Sequence, residues 1–275
     1  MARSLAALLG QLPMQNVAKG RELLVASSSV GEISKVVWST WRDTRFGRSH
    51  ARAIEDFRAR NPDHEFRIVS HEERDHFVRE QFADHPIRQV FDAARFQPMK
   101  ADIWRYLVLL KYGGWYFDIK SCLRVPLSSI AAPGVDAVVS FEKARDKRLA
   151  AEQSHPEVLH PGHPVLNWGF AARPGHPLLA RAIDAIVARA PEYRGKVVKN
   201  PKGAIIDLSG PRMFARALDA TARHEGLGGV AQHGFEFEDA GIYEMRYSWV
   251  RFLTAPSYAQ ARDQPIIEEI GVEGV

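Results

Sequence analysis

The chain has 275 residues, 45% of them hydrophobic and 25% charged, enough apolar side chain to bury the core of one large domain and too much for a disordered chain. Its 37 basic residues are interspersed with 33 acidic ones, leaving a formal net charge of +4. That modest excess suits phosphate-bearing ligands or an anionic membrane surface, whereas a nucleic-acid binder would concentrate its basic residues on one face among aromatics. The single cysteine, Cys122, excludes an internal disulfide and every multi-cysteine zinc pattern, and it reads as a small buried apolar residue in a reducing compartment.

No apolar run approaches the roughly 20 residues that cross a bilayer. The opening segment is too short to read as a signal peptide, so the expected location is cytoplasmic. Residues 1–30 are basic and mildly amphipathic and predict a frayed or packed lead-in helix, with peripheral contact at the inner membrane face as the alternative. Residues 31–275 predict a single domain.

Ile33 to Trp41 is a β-branched apolar run and reads as the first core strand. A helix is predicted from about Ser49 to Arg60, stopped by Asn61-Pro62-Asp63, and a short strand follows over Phe66 to Val69. Helical patterns occupy 71–82 and 84–95. A longer one runs from Pro98 to Tyr112, with Pro98 in its first turn and Gly113-Gly114 after its last. Asp102 and Arg105 lie three residues apart on one side of that helix. Trp115 to Phe117 then forms a strand that delivers Asp118 and Lys120 to its C-terminal end, where ligands of open α/β sheets bind.

Asp136 to Phe141 is a further strand. From Glu142 to Pro164 the chain is charged and rich in His and Pro, and a loop of that length predicts a lid or an acceptor-facing segment. Strand Trp168 to Ala172, helix Pro177 to Ala190 and a helix from Ser209-Gly210-Pro211 to about Ala222 follow. The Gly-punctuated, aromatic remainder predicts short strands closing over the site. His155, His160 and His163 fit no standard metal spacing. His176 reads as shaping the turn before its helix. Asp207 is either a sugar-orienting carboxylate or an end cap.

The stretch Lys100-Ala101-Asp102-Ile103-Trp104-Arg105-Tyr106, continued by Tyr112-Gly113-Gly114-Trp115-Tyr116-Phe117-Asp118-Ile119-Lys120, resembles the "ADxxRYxxLxxYGGxYxDxD" core of glycosyltransferase family 32. That family includes initiating mannosyltransferases, α1,4-galactosyltransferases and bacterial capsule enzymes. Ile33 to Trp41, Asn61 to Phe66, Asn167 with Gly175-His176-Pro177, Ser209-Gly210-Pro211 and Ser248-Trp249 are similar to its other elements, in order. The resemblance implies a GT-A-like single domain, a mixed, mainly parallel sheet flanked by helices. It also implies transfer of a hexose, with retention, from a UDP- or GDP-linked sugar to a glycan or glycolipid hydroxyl in polysaccharide or lipopolysaccharide synthesis.

The same resemblance implies that Asp102, Arg105 and Asp118 act at the donor sugar and diphosphate. Trp41, Tyr106, Gly113, Gly114, Asn167, Arg246, Ser248 and Trp249 are the further donor-binding candidates. Trp41 offers a ring for the base, with core packing as its alternative role. Arg246 offers a second phosphate-side cation, with an ordinary surface arginine as the alternative.

The departure from the family pattern is Lys120, which stands where the second aspartate would ligate a divalent metal. An ammonium has three donors and no acceptor, so it cannot ligate Mg²⁺ or Mn²⁺. Lys120 is instead expected to neutralise the diphosphate itself, weakening any need for metal. The alternative is a catalytically silent protein that binds sugar nucleotide or glycan. A glycosidase using Asp102 and Asp118 as its carboxyl pair fits the nucleotide-type motif poorly.

Overall fold

The computed structural model describes residues 9–20, 31–253 and 258–269. In chain order the strands are β1 (Gln15–Asn16), β2 (Val36–Thr40), β3 (Arg45–Phe46), β4 (Glu65–Val69), β5 (Gly114–Phe117), β6 (Cys122–Leu123), β7 (Ala137–Phe141), β8 (Gly169–Ala172), β9 (Val230–Phe235) and β10 (Gly241–Ile242). The helices are α1 (Arg48–Ala59), α2 (His71–Gln81), α3 (Ile87–Ala93), α4 (Gln97–Tyr112), α5 (Pro177–Arg189), α6 (Pro201–Leu208) and α7 (Pro211–Glu225).

Six strands form one sheet in the order β4-β2-β5-β8-β7-β9. The pairs β4–β2, β2–β5 and β7–β9 are parallel, and β5–β8 and β8–β7 are antiparallel. This is the mixed, mainly parallel, helix-flanked sheet that the sequence implies. Alternation along the strands divides the core between the two faces. Trp38 and Tyr116 pack on one side with α4, α5 and α7, while Val37, Trp115 and Phe117 pack on the other with α1.

Local chemistry explains the boundaries. Ser70 and Glu73 close a reciprocal capping box at the start of α2, satisfying two otherwise unpaired backbone groups. The helix expected over 84–95 is confined to α3 and begins only after Pro86. The helix α6, capped by Asn200, was not anticipated. Of the lead-in helix expected over 1–30, residues 1–8 and 21–30 lie outside the described residues. Within 9–20, Leu9 is helical and Gln15–Asn16 form strand β1, which pairs antiparallel with β3.

The long helix α4 ends at Gly113, whose φ of 65° is left-handed. A Cβ there would meet Pro174 at 2.6 Å, and one on Gly114 would meet the Val36 carbonyl oxygen at 2.5 Å. The two glycines therefore permit a tight reversal that lays β5 directly against β2. They sit at the N-terminal end of β5, the end opposite Asp118, so their requirement for glycine comes from packing rather than from a ligand.

Candidate functional site

β2 and β5 run parallel, so Trp41, just past the end of β2, and Asp118 and Lys120, just past the end of β5, share the C-terminal edge of the sheet. Helix α4 crosses beneath that edge and brings up Asp102 and Arg105, 7% and 4% exposed. The Arg105 Nη2 lies 3.1 Å from Asp102 Oδ1 and 3.1 Å from Asp118 Oδ1. Its other nitrogens donate to the backbone carbonyls of Asn167 and Ala101, and its guanidinium lies over the Tyr116 ring, 4.4 Å from the centroid. One arginine thus ties two carboxylates 16 residues apart in sequence into a single buried charge cluster.

The carboxylates are held further by neutral donors. Asp102 accepts from Asn167 Nδ2 and Ser209 Oγ, each at 3.0 Å. With Arg105 this fills three of its four lone-pair positions, leaving one on Oδ2. Asp118 Oδ1 also accepts from the Tyr116 hydroxyl at 2.9 Å. Among the described residues its Oδ2 makes no hydrogen bond, and the side chain is 25% exposed, so one oxygen is presented outward.

Burial pushes the Asp102 carboxyl up to about 7, with Arg105 pulling against it. Burial also works against the Arg105 charge, but the neighbouring Tyr116, Asp118 and Asp102 outweigh it and raise its pKa.

Lys120 is half-buried, its ammonium 3.5 Å from the centre of the Tyr243 ring, a cation–π contact. Its pKa is lowered by burial, opposed by the Asp118 carboxylate and reinforced by Arg251. The Lys120 carbonyl accepts from Met245 N at 2.7 Å, and Ser121 Oγ donates to the Tyr243 carbonyl at 2.7 Å, so the segment 243–251 is fastened around the end of β5. From below, His50 Nε2 contacts the Ile119 carbonyl at 2.8 Å, and burial holds its pKa down at about 4.

The remaining candidates divide. Asn167 joins the site, orienting Asp102 and receiving Arg105. Trp41 is half-buried with its ring 6.4 Å from His71 and 5.9 Å from the Arg251 guanidinium. Ser248 is fully buried, and its hydroxyl has no hydrogen-bond partner among the described residues. Trp249 packs 6.5 Å from Tyr247.

Tyr106 adjoins the site, where Asp102 and Arg105 act electrostatically on its phenol. It is fully buried and its hydroxyl donates to the Ser209 carbonyl at 3.0 Å. Arg246 is exposed and lies over Tyr247 at 5.3 Å. The buried cation of this segment is Arg251, 6% exposed and 3.8 Å from Glu244.

Sequence reasoning left Ser209, Tyr116, Tyr243 and Arg251 unassigned. Ser209 had a signal, since it opens the Ser-Gly-Pro element. Asp207 proves structural, its carboxylate taken by Arg189, Tyr193, Arg212 and Arg216. His176 caps α5 by accepting from Leu178 N. Burial pushes the Cys122 thiol up to about 11, which suits a packing residue.

Toward the divalent metal that the resemblance implies, Asp118 offers one oxygen uncommitted among the described residues, Oδ2. Asp118 Oδ1 is committed to Arg105 and Tyr116, the next polar position holds an ammonium, and no group of three His, Cys, Asp or Glu side chains able to hold an ion occurs among the described residues. Likewise no helix among them is long and apolar enough to cross a membrane.

Residues 47–134, the span that carries α4, β5 and the charge cluster, match the family described as "Glycosyltransferase sugar-binding region containing DXD motif". Over that span the chain is similar to the sugar-binding region of DXD-type glycosyltransferases. The initiation-specific alpha-1,6-mannosyltransferase of Schizosaccharomyces pombe is 26% identical over 200 residues, covering 68% of this chain and 48% of that protein. The Candida albicans protein of the same name is 24% identical over 199 residues, 66% of this chain and 51% of its own length. The chain therefore spans about half the length of the curated relatives it matches. Among solved structures, a PaToxG glycosyltransferase aligns at a TM-score of 0.49 and 19% identity, over 71% of this chain and 72% of that one.

Proposed function

We propose that this chain is a family 32 glycosyltransferase that transfers a hexose from a nucleoside-diphosphate sugar to a hydroxyl of a glycan or glycolipid, with retention of configuration. The names of its relatives make mannose the first sugar to test. The observation that carries the reading is the charge cluster itself: Arg105 bridging Asp102 and Asp118 at 3.1 Å each, with Lys120 two residues beyond Asp118 on the same sheet edge.

Each group has a chemical task. Trp41 offers a face to the base. The outward Oδ2 of Asp118 accepts a hydroxyl of ribose or sugar, and Asp102, fixed by Asn167 and Ser209, has one acceptor left for another. Lys120 is in this reading the fixed cation that counters charge growing on the departing diphosphate, and such stabilisation is often the largest single contribution to catalysis. In this reading the acceptor attacks from the leaving-group face, and the departing phosphate takes its proton.

A cytoplasmic setting with peripheral contact at the inner membrane face, in polysaccharide or lipopolysaccharide assembly, completes the reading. The second reading, a silent sugar-nucleotide or glycan binder, rests on Lys120 at the expected metal position.

A panel of UDP- and GDP-sugars, assayed for thermal stabilisation and for nucleotide release with and without excess chelator, tests both. Turnover that survives the chelator is expected. Stabilisation without any turnover favours the silent binder, and turnover abolished by chelator and restored by Mn²⁺ removes Lys120 from its role.

A further inference from the structure

The long segment 142–164 is pinned at both ends and along its length. Glu142 N donates to the Pro164 carbonyl at 2.8 Å and Asp146 N to the Gly162 carbonyl at 3.0 Å. The segment is also tied to α7: Arg212 Nε donates to Asp146 at 2.7 Å, His155 N donates to Asp219 at 2.5 Å, and Arg223 donates to the Gln153 carbonyl. Between segment and helix lies a cleft of about 510 Å³.

The charge in that cleft is one-sided. Arg148, Arg216 and Arg223 line it against a single carboxylate, Asp219, which is already occupied by Arg223 Nε at 2.8 Å and by the His155 amide. Arg216 spends one Nη on Asp207, and its other nitrogens make no hydrogen bond among the described residues. The exposed guanidinium of Arg148 makes no hydrogen bond or ion pair among them. A planar fork of this kind favours phosphate and carboxylate oxygens.

The opposite wall is aromatic. His160 stacks on Phe235 with ring centroids 4.2 Å apart and meets Phe141 edge-on at 5.2 Å. Burial lowers the His160 pKa, aided by His163. The cleft also lies close to the charge cluster. Ser209, which donates to Asp102, precedes α7, and Arg216 stands seven residues later, about 10 Å along the chain axis at helical rise.

We propose that this cleft is the acceptor subsite and that it takes an acidic glycan, in which a sugar unit carries an anionic phosphate or carboxylate group held by Arg148 and Arg216. The assignment as acceptor subsite rests on the transfer reading above, while binding of the acidic sugar does not depend on it.

Calorimetric titration of the full chain with mannose 6-phosphate, glucuronic acid and mannose tests the proposal without requiring turnover. The two charged sugars are expected to bind more tightly than mannose, and the tighter of the two identifies phosphate or carboxylate as the natural group. Arg148→Glu reverses an exposed charge that makes no internal hydrogen bond or ion pair beyond an electrostatic pull on Asp146, so its fold should persist. It should weaken binding of the charged sugars about ten-fold or more, as expected for loss of a hydrogen bond to a charged group. Lys147→Glu, next in sequence and outside the cleft, should leave binding unchanged. Binding of mannose as tight as that of both charged sugars, equal effects of the two variants, or loss of binding in Lys120→Ala but not in Arg148→Glu would each overturn the proposal. Acidic-sugar binding in a chain that turns over no donor would sustain the cleft and remove the transfer reading instead.

Discussion

Replacing Arg105 with glutamine removes the one cation between two carboxylates. Because Asp102 Oδ1 and Asp118 Oδ1 both lie 3.1 Å from the same Nη2, they are no more than about 6 Å apart. At an effective dielectric constant of about 20, two charges at that separation repel by roughly 2.8 kcal/mol, or about two pK units. Breaking a buried pair from one side costs about 3–5 kcal/mol, which for a chain of this size lowers Tm by roughly 10 °C.

The loss should depend on pH in a definite direction. Asp102, already pushed up to about 7 by burial, rises further without the guanidinium. A carboxyl whose folded pKa exceeds its unfolded one contributes stability at low pH that is lost as pH rises through the folded value. Between the wild-type and variant values the variant alone carries the proton, so its deficit should widen by up to about 3 kcal/mol from pH 6 to pH 9. Urea unfolding of both proteins at pH 6, 7.5 and 9 measures this. A deficit below about 1 kcal/mol, or one that stays constant across the range, would refute the bridging account.

Three further outcomes are expected. Lys120→Ala should lower turnover by about 10²–10³-fold, the scale for removing one preorganised charge-stabilising donor, with Tm nearly unchanged; retention of more than half the activity would show that the ammonium is dispensable. His50 has its folded pKa at about 4, below the unfolded value of 6.5, so its contribution is full above pH 6.5 and is lost as pH falls through 4. His50→Gln keeps a donor for the Ile119 carbonyl without titrating, and its urea midpoint should fall less steeply between those values. Gly113→Ala, forced to a φ of 65° and against Pro174, should cost about 1–3 kcal/mol; an unchanged melting temperature would contradict the packing role given to that residue.

The local signals were legible where one residue type fixes one geometry. Pro98 near the start and Gly113 at the end bounded α4 almost to the residue. Asp102, Arg105 and Asp118 were legible because their spacing combines a helix face with a strand end. What the sequence did not disclose arises from tertiary pairing. Nothing local distinguishes the exposed Arg246 from the buried Arg251, since both stand among aromatics and only the fold around Lys120 separates them. Tyr106 stands beside Arg105, yet the helical turn carries its ring into the core. Gly113 and Gly114 invited a ligand reading that the strand direction removes.

The bridge between β5 and β8 has a consequence for how the molecule can be divided. Asp102, Arg105 and Asp118 come before segment 142–164, while Asn167 and Ser209 come after it, and the halves meet through the Gly114↔Ala172 to Phe117↔Gly169 register. No fragment ending ahead of Asn167 contains a finished set of partners for Arg105. Yet a single cut on the exposed side of that segment would separate the chain in sequence only. The two pieces would still share a sheet and a core, so a nicked or split version should reassemble into one working unit.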